Sequence, residues 1–177
     1  FSFQERSGHM TCRIAIIPAG SHGDHQPFIP FMKELEKLGC KVQMWVMFES
    51  YEQMMKGFGV DACLVPGVAD VPPVEKLLET SEEMRTAMAT GQGLAFLKAI
   101  GAIMAPWWPK VSAGCLQKME EFQPHLVLYS PLLLSLARTI IDKFNIPACM
   151  SYFYPRCPSR EYFPLNFAMP DVNLPFG

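Results

Sequence analysis

The sequence predicts an α/β protein built on a doubly wound parallel sheet, and three observations carry that prediction. Residues 12–19, CRIAIIPA, form an apolar run of strand length, as expected of a strand covered on both faces of a parallel sheet. Over residues 12–67, such runs alternate with helical segments through short connections, in the order strand, helix, strand, helix, strand. Of the 177 residues, 50% are hydrophobic and 18% charged, enough apolar material for the core of one domain.

The elements follow in order. After the first strand, a helix places Phe28, Phe31 or Met32, Leu35 and Leu38 at spacings of three and four, with Lys33, Glu34, Glu36 and Lys37 on the other face. Pro27 suits its first turn and Gly39 its stop. Pro30 fits less well, since it removes a helical hydrogen bond if the helix begins at Pro27. A second strand is expected over 40–48 and a short helix over 49–59. A third strand follows in VDACLVPG at 60–67. From Val74 to Phe122 only helical patterns occur, broken at Gly91–Gly93 and at PWWP, 106–109. HLVLYS, 125–130, reads as a strand, 131–145 as a helix and IPACMSYFY, 146–154, as another strand. The expected domain is 12–155. Residues 1–11 are set aside as a disordered or tag-derived start. The tail 156–177 is irregular and proline-rich.

Several function classes are excluded. The formal net charge is −2 with no basic cluster, which argues against nucleic acid, because phosphate binding needs concentrated Lys and Arg. The six cysteines (Cys12, Cys40, Cys63, Cys115, Cys149 and Cys157) form no CxxC pair. Neither a metal site nor a redox motif is therefore expected, and buried free thiols are the reading adopted. The longest transmembrane candidate, AIGAIMAPWW at 99–108, falls short of the ~18 apolar residues needed to span a bilayer. The polar start FSFQERSGHM is no signal peptide.

Chemistry is expected first at residues 20–25, GSHGDH. A doubly wound sheet binds ligands at the carboxyl ends of its strands. Gly20 and Gly23 would let backbone approach a ligand, and a helix N-terminus offers N–H groups to an anion. The spacing matches neither GxGxxG nor GK[ST], and Ser21 or Asp24 could simply cap the helix. Asp24 between His22 and His25 is also the pattern of a general base acting on a hydroxyl. His22 and His25 could both be surface residues, and His125 is expected at a solvent edge. A second candidate is 93–111, where Phe96, Ile100, Met104, Trp107 and Trp108 would either pack on the sheet, the reading placed first, or wall an apolar pocket or rest on a membrane. In the third, Arg156 and Arg160 stand among aromatics of the tail, including Tyr154.

Taken together, these pieces resemble two-domain GT-B glycosyltransferases, in the branch acting on sterols and glycopeptides. That branch opens with G-[ST]-x-G-D-x-x-P and a helix ending in G-H-x-V. Gly20, Ser21, Gly23, Asp24, Gln26, Pro27, Gly39 and Val42 match it. GFGVDACLVPG resembles the third strand of the family, and QPHLVLYSPLLLSLARTIIDKFNIPACMSYFYP a later strand, helix and strand. PRCPSREYFP is similar to the sterol branch's P-W-T-R-T-R-A-F-P, with Arg160, Phe163 and Pro164 in register. The resemblance runs from about residue 12 to 167. It departs at His22, where Arg is usual, at Cys40, where His is usual, and at His125, where Asp is usual.

The resemblance implies a Rossmann-like sheet forming one half of a GT-B fold, and an inverting transfer of a hexose, glucose from UDP-glucose, to a hydroxyl of a sterol-like or other apolar acceptor. Asp24 falls where related enzymes keep the His of G-H-x-x-P, so it is the expected base. Gly20, Ser21, His22 and Gly23 would face the diphosphate. The acceptor pocket would use Phe96, Ile100, Met104, Trp107, Trp108, Tyr154 and Arg160. No cofactor or metal is implied beyond the nucleotide-sugar donor, held mainly by a C-terminal domain or a partner chain that these 177 residues do not contain. Alone, the chain is expected to be inactive. The alternative is a non-catalytic subunit that binds lipid or membrane and recruits a donor-binding chain. The expected location is the cytoplasm or a membrane surface.

Overall fold

In the computed structural model, which describes residues 11–72, 76 and 79–153, the run CRIAIIPA becomes β1 (Arg13–Ile17). Residues Ile14 to Ile17 are all buried, as the central strand of a sheet covered on both faces requires. A one-turn helix α1 (His22–His25) leads into α2 (Phe28–Lys37). Next come β2 (Lys41–Val46), α3 (Glu49–Gly57) and β3 (Ala62–Leu64). The middle of the chain contributes α4 (Glu82–Ala89), α5 (Gly93–Met104) and α6 (Trp108–Phe122). The last described elements are β4 (Leu126–Tyr129), a 3₁₀ turn (Pro131–Leu133), α7 (Leu134–Phe144) and β5 (Ala148–Met150).

The five strands are parallel, in the order β3-β2-β1-β4-β5. This is the doubly wound arrangement predicted. The chain moves outward from β1 to β3, then returns to the other side of β1 with β4. Right-handed crossovers therefore put α2 and α3 on one face and α6 and α7 on the other. An ion pair of Lys143 with Glu120 at 3.2 Å joins α7 to α6. Trp45 of β2 is fully buried, meets Phe122 of α6 edge-on at 6.3 Å and donates its indole N–H to Gln43 at 2.9 Å. Large side chains buried this way contribute about 1.5–3 kcal/mol each.

Close packing explains one small residue. A Cβ at Gly114 would collide with the Pro66 carbonyl oxygen and with Val65, so α6 lies directly on the chain leaving β3. Gly39 terminates α2 with φ +83°, as expected of a left-handed cap.

Details depart from the sequence reading. Helix α2 starts at Phe28 rather than Pro27. Pro30 thus falls in the first turn, where an N–H lacks an intrahelical acceptor anyway. Phe28 and Met32 are buried, but Phe31 is 45% exposed and Leu38 79%, so the apolar stripe is narrower than expected. Among the described cysteines only Cys115 is buried; Cys12 and Cys149 are exposed, and Cys40 and Cys63 half-buried. Cys12 and Cys40 immediately precede strands, where the sheet opens to solvent, and Cys149 occupies edge strand β5. Among the described residues no helix is long and apolar enough to cross a membrane.

Candidate functional site

The order β3-β2-β1-β4-β5 reverses direction between β1 and β4, and the carboxyl ends of these two strands frame the crevice where doubly wound sheets bind ligands. Two bonds fasten that point. The Ser130 N–H donates to the Ile17 carbonyl at 3.1 Å, and the buried Ser130 hydroxyl donates to the Ala19 carbonyl at 3.1 Å.

From Ala19 the chain turns through Gly20 at φ +128°, a conformation that L side chains rarely adopt. Ser21 is extended and begins α1. The Asp24 carboxylate folds back over the turn, where its Oδ2 accepts the Ser21 N–H at 2.7 Å and the Ser21 hydroxyl at 3.3 Å. The Asp24 N–H in turn donates to the Ser21 carbonyl at 3.0 Å. This reciprocal bonding of the first turn is a capping arrangement. Asp24 is half-buried, while Ser21, His22 and Gly23 are exposed. A Cβ at Gly20 would collide with the Asp24 carboxylate, whereas one at Gly23 would meet only the Ser21 hydroxyl at 3.7 Å. Gly20 is thus required by the site's own geometry, and Gly23 is not.

His25 is the residue the sequence reading misplaced. It is 1% exposed, and its Nδ1 donates to the Ser21 carbonyl at 2.8 Å, because a carbonyl oxygen only accepts. Its ring lies 4.3 Å from that of Tyr51, which is itself buried and contacts His22 at 5.2 Å and Phe48 edge-on at 5.5 Å. Ser21 is therefore held on both sides, at its N–H by Asp24 and at its carbonyl by His25. Tyr51 brings the β2–α3 connection against the same turn. Phe153, just beyond β5, meets Phe28 at 4.9 Å. The connections after β1, β2, β4 and β5 thus all reach the same edge of the sheet.

The loop's anion-facing capacity is smaller than expected. The N–H groups of Ser21 and Asp24 are engaged within the turn, and that of Ile29 donates to the Gln26 carbonyl at 3.0 Å. His22 and Gly23 remain as first-turn N–H groups without intrahelical acceptors. Among the described residues, no group of three or more His, Cys, Asp or Glu is placed to hold a metal ion.

Met104 belongs to the buried core, and Ile100, Trp107 and Trp108 pack against it half-buried; Phe96 is also half-buried. Lys110 stands 4.9 Å over the Trp107 ring and pairs with Asp70 at 2.6 Å. Core packing, the reading placed first, accounts for these contacts. Tyr154 and Arg160, with Arg156 and the rest of the tail, lie outside the described residues. His125 is half-buried at the entrance to β4. Its N–H donates to the Arg13 carbonyl at 2.7 Å and its Nδ1 accepts the Arg13 N–H at 3.1 Å. It extends the pairing of β1 with β4 at the end of the sheet remote from Asp24.

No protein-family model and no curated protein matches the sequence. Solved structures do match. The glycosyltransferase SsfS6 of Streptomyces sp. SF2575 superimposes with a TM-score of 0.56 at 19% identity, over 78% of this chain and 38% of that one. A further SsfS6 structure holds thymidine diphosphate. The glycosyltransferase SnogD of Streptomyces nogalater gives a TM-score of 0.55 at 19% identity, over 80% of this chain and 35% of that one. CalG4, the calicheamicin glycosyltransferase, gives 0.50 at 16% identity, over 85% and 33%. This chain therefore spans well under half the length of these glycosyltransferases. Its five-stranded parallel sheet with flanking helices is the Rossmann-like fold of the amino-terminal domain of GT-B glycosyltransferases.

Proposed function

We propose that the chain is the acceptor-binding part of an inverting glycosyltransferase, and that Asp24 is its base. The observation that carries this reading is the position of Asp24: a half-buried carboxylate over the turn that leaves β1, beside the β1/β4 switch point. Both hydrogen bonds that fix the group fall on Oδ2, so Oδ1 is assigned to the acceptor hydroxyl. In the reaction, Oδ1 takes the hydroxyl proton as the acceptor oxygen bonds to the anomeric carbon. The bond from that carbon to the donor diphosphate breaks on the opposite side, its electron pair leaves with the diphosphate, and the configuration inverts. His25 and Tyr51 hold the turn in place by the Ser21 carbonyl and by ring packing.

The donor is a nucleotide-linked hexose, with UDP-glucose the form the sequence resemblance favours. The thymidine diphosphate in SsfS6 supports a nucleoside diphosphate as the leaving group. Its binding is assigned chiefly to a second domain or partner chain, with His22 and Gly23 facing the diphosphate. The acceptor is an apolar alcohol of sterol type. The test is to incubate the full-length protein with UDP-glucose or TDP-glucose and a panel of sterols and other apolar alcohols. A β-glucoside formed from either α-linked donor supports the reading. An α-glucoside, or no transfer to any alcohol on the panel, overturns it.

A further inference from the structure

Two thiols stand side by side at the amino ends of β1 and β2, the end of the sheet remote from Asp24. Arg13 and Lys41 are register partners in the parallel pairing of β1 with β2, and the Lys41 N–H donates to the Cys12 carbonyl at 2.8 Å. One residue earlier on each chain stand Cys12 and Cys40. Adjacent strands lie about 4.7–4.9 Å apart, within the roughly 4.4–6.8 Å between Cα atoms that a disulfide spans. Residues at equivalent register positions also project to the same face. Burial first, then the neighbouring Cys12, raises the proton affinity of the Cys40 thiol. Both thiols are free, Cys12 exposed and Cys40 half-buried.

We propose that Cys12 and Cys40 form a reversible thiol–disulfide site, oxidised by a low-molecular-weight disulfide such as oxidised glutathione. The exposed Cys12, as its thiolate, attacks one sulfur of glutathione disulfide. That sulfur–sulfur bond breaks, one glutathione thiolate departs and takes up a proton, and Cys12 carries a mixed disulfide. Cys40 then loses its proton and attacks the Cys12 sulfur, releasing the second glutathione. Two protein thiols are oxidised to one disulfide, and one glutathione disulfide is reduced to two thiols. The new bond ties the amino end of β1 to that of β2 and closes a loop containing the turn at Gly20 and helix α2. The site is independent of sugar transfer.

Cys149 provides an internal control, since it is also exposed but its register partner on β4 is Leu128. The experiment treats the native full-length protein with oxidised glutathione, quenches with acid, alkylates, and maps tryptic peptides without reduction. The expected product joins the peptides ending at Arg13 and Lys41, with a mass lower by two hydrogen atoms than their sum, and dithiothreitol separates them. Cys40→Ser should stop at a glutathione adduct on Cys12, and Cys12→Ser should leave Cys40 unmodified. The cross-linked protein should melt several degrees higher than the reduced one. A stable glutathione adduct on Cys12 beside a free Cys40 in the unsubstituted protein would overturn the proposal. So would two unmodified thiols under conditions that modify Cys149.

Discussion

The Asp24 carboxylate occupies the space that a side chain at Gly20 would need. A Cβ there would come within 2.6 Å of the Asp24 Cγ and still closer to Oδ2. Gly20→Ala therefore combines a strained backbone at φ +128° with displacement of the carboxylate, and should cost about 1–3 kcal/mol of stability. Gly23→Ala, whose new methyl group meets only ordinary contacts, should be neutral or stabilise by up to about 1 kcal/mol. Urea denaturation of the two variants checks the contrast.

Ser130→Ala removes the bond that fastens β4 to the turn after β1 and leaves the Ala19 carbonyl without that donor. A buried acceptor stripped of its partner costs about 1–3 kcal/mol. Ser130→Thr, which retains a hydroxyl, should recover part of the loss. The expected readout is a lower denaturation midpoint for alanine than for threonine.

Helix α6 lies so close to Pro66 that Gly114 admits no side chain. Gly114→Ala should force α6 away from the sheet and cost about 1–3 kcal/mol, despite alanine's better helix propensity. A thermal melt showing Gly114→Ala equal to or more stable than the unsubstituted protein would contradict this packing.

Alkaline pH should destabilise the fold through two thiols. Burial raises the proton affinity of Cys63 to a pKa of about 11, with Lys118 opposing the rise, and that of Cys115 to about 12, with Cys63 adding to the effect. Since both are raised from the ordinary 9.0, the folded state retains protons that the unfolded chain has released. Their contribution is complete below pH 9.0 and is lost as pH rises toward about 11 and about 12. Stability should therefore fall between about pH 9 and pH 11, and less steeply in Cys115→Ala than in the unsubstituted protein. Denaturation curves across that range measure the difference in slope.

The sheet was legible because its central strand announces itself. Ile14 to Ile17 are apolar without alternation, and short connections separate the early strands from their helices. The helix register was harder: whether Phe31 or Met32 faced inward depended on where the helix began, and the first turn around Pro27 and Pro30 obscured it. The turn itself was legible from Gly20, Ser21 and Asp24, while its reading as a site rested on the family resemblance. His25 was not, because its burial depends on Tyr51 of the next βα unit, 26 residues further along the numbering. Ser130 was missed for the same reason, as its partner Ala19 lies 111 positions away. The cysteines were misjudged because apolar neighbours in sequence do not reveal which strand ends open to solvent.

The central claim is that the carboxylate of Asp24 removes the acceptor proton, and Asp24→Asn in the full-length protein tests it most directly. Asparagine retains an oxygen that can accept the Ser21 N–H, so the turn should persist, but it cannot act as a base. The paired measurement is glucosyl transfer from the donor that supports turnover, alongside calorimetric binding of that donor. The expected result is a fall in kcat of about 10²–10⁴-fold with donor affinity unchanged. Turnover within a few-fold of the unsubstituted enzyme would contradict the assignment.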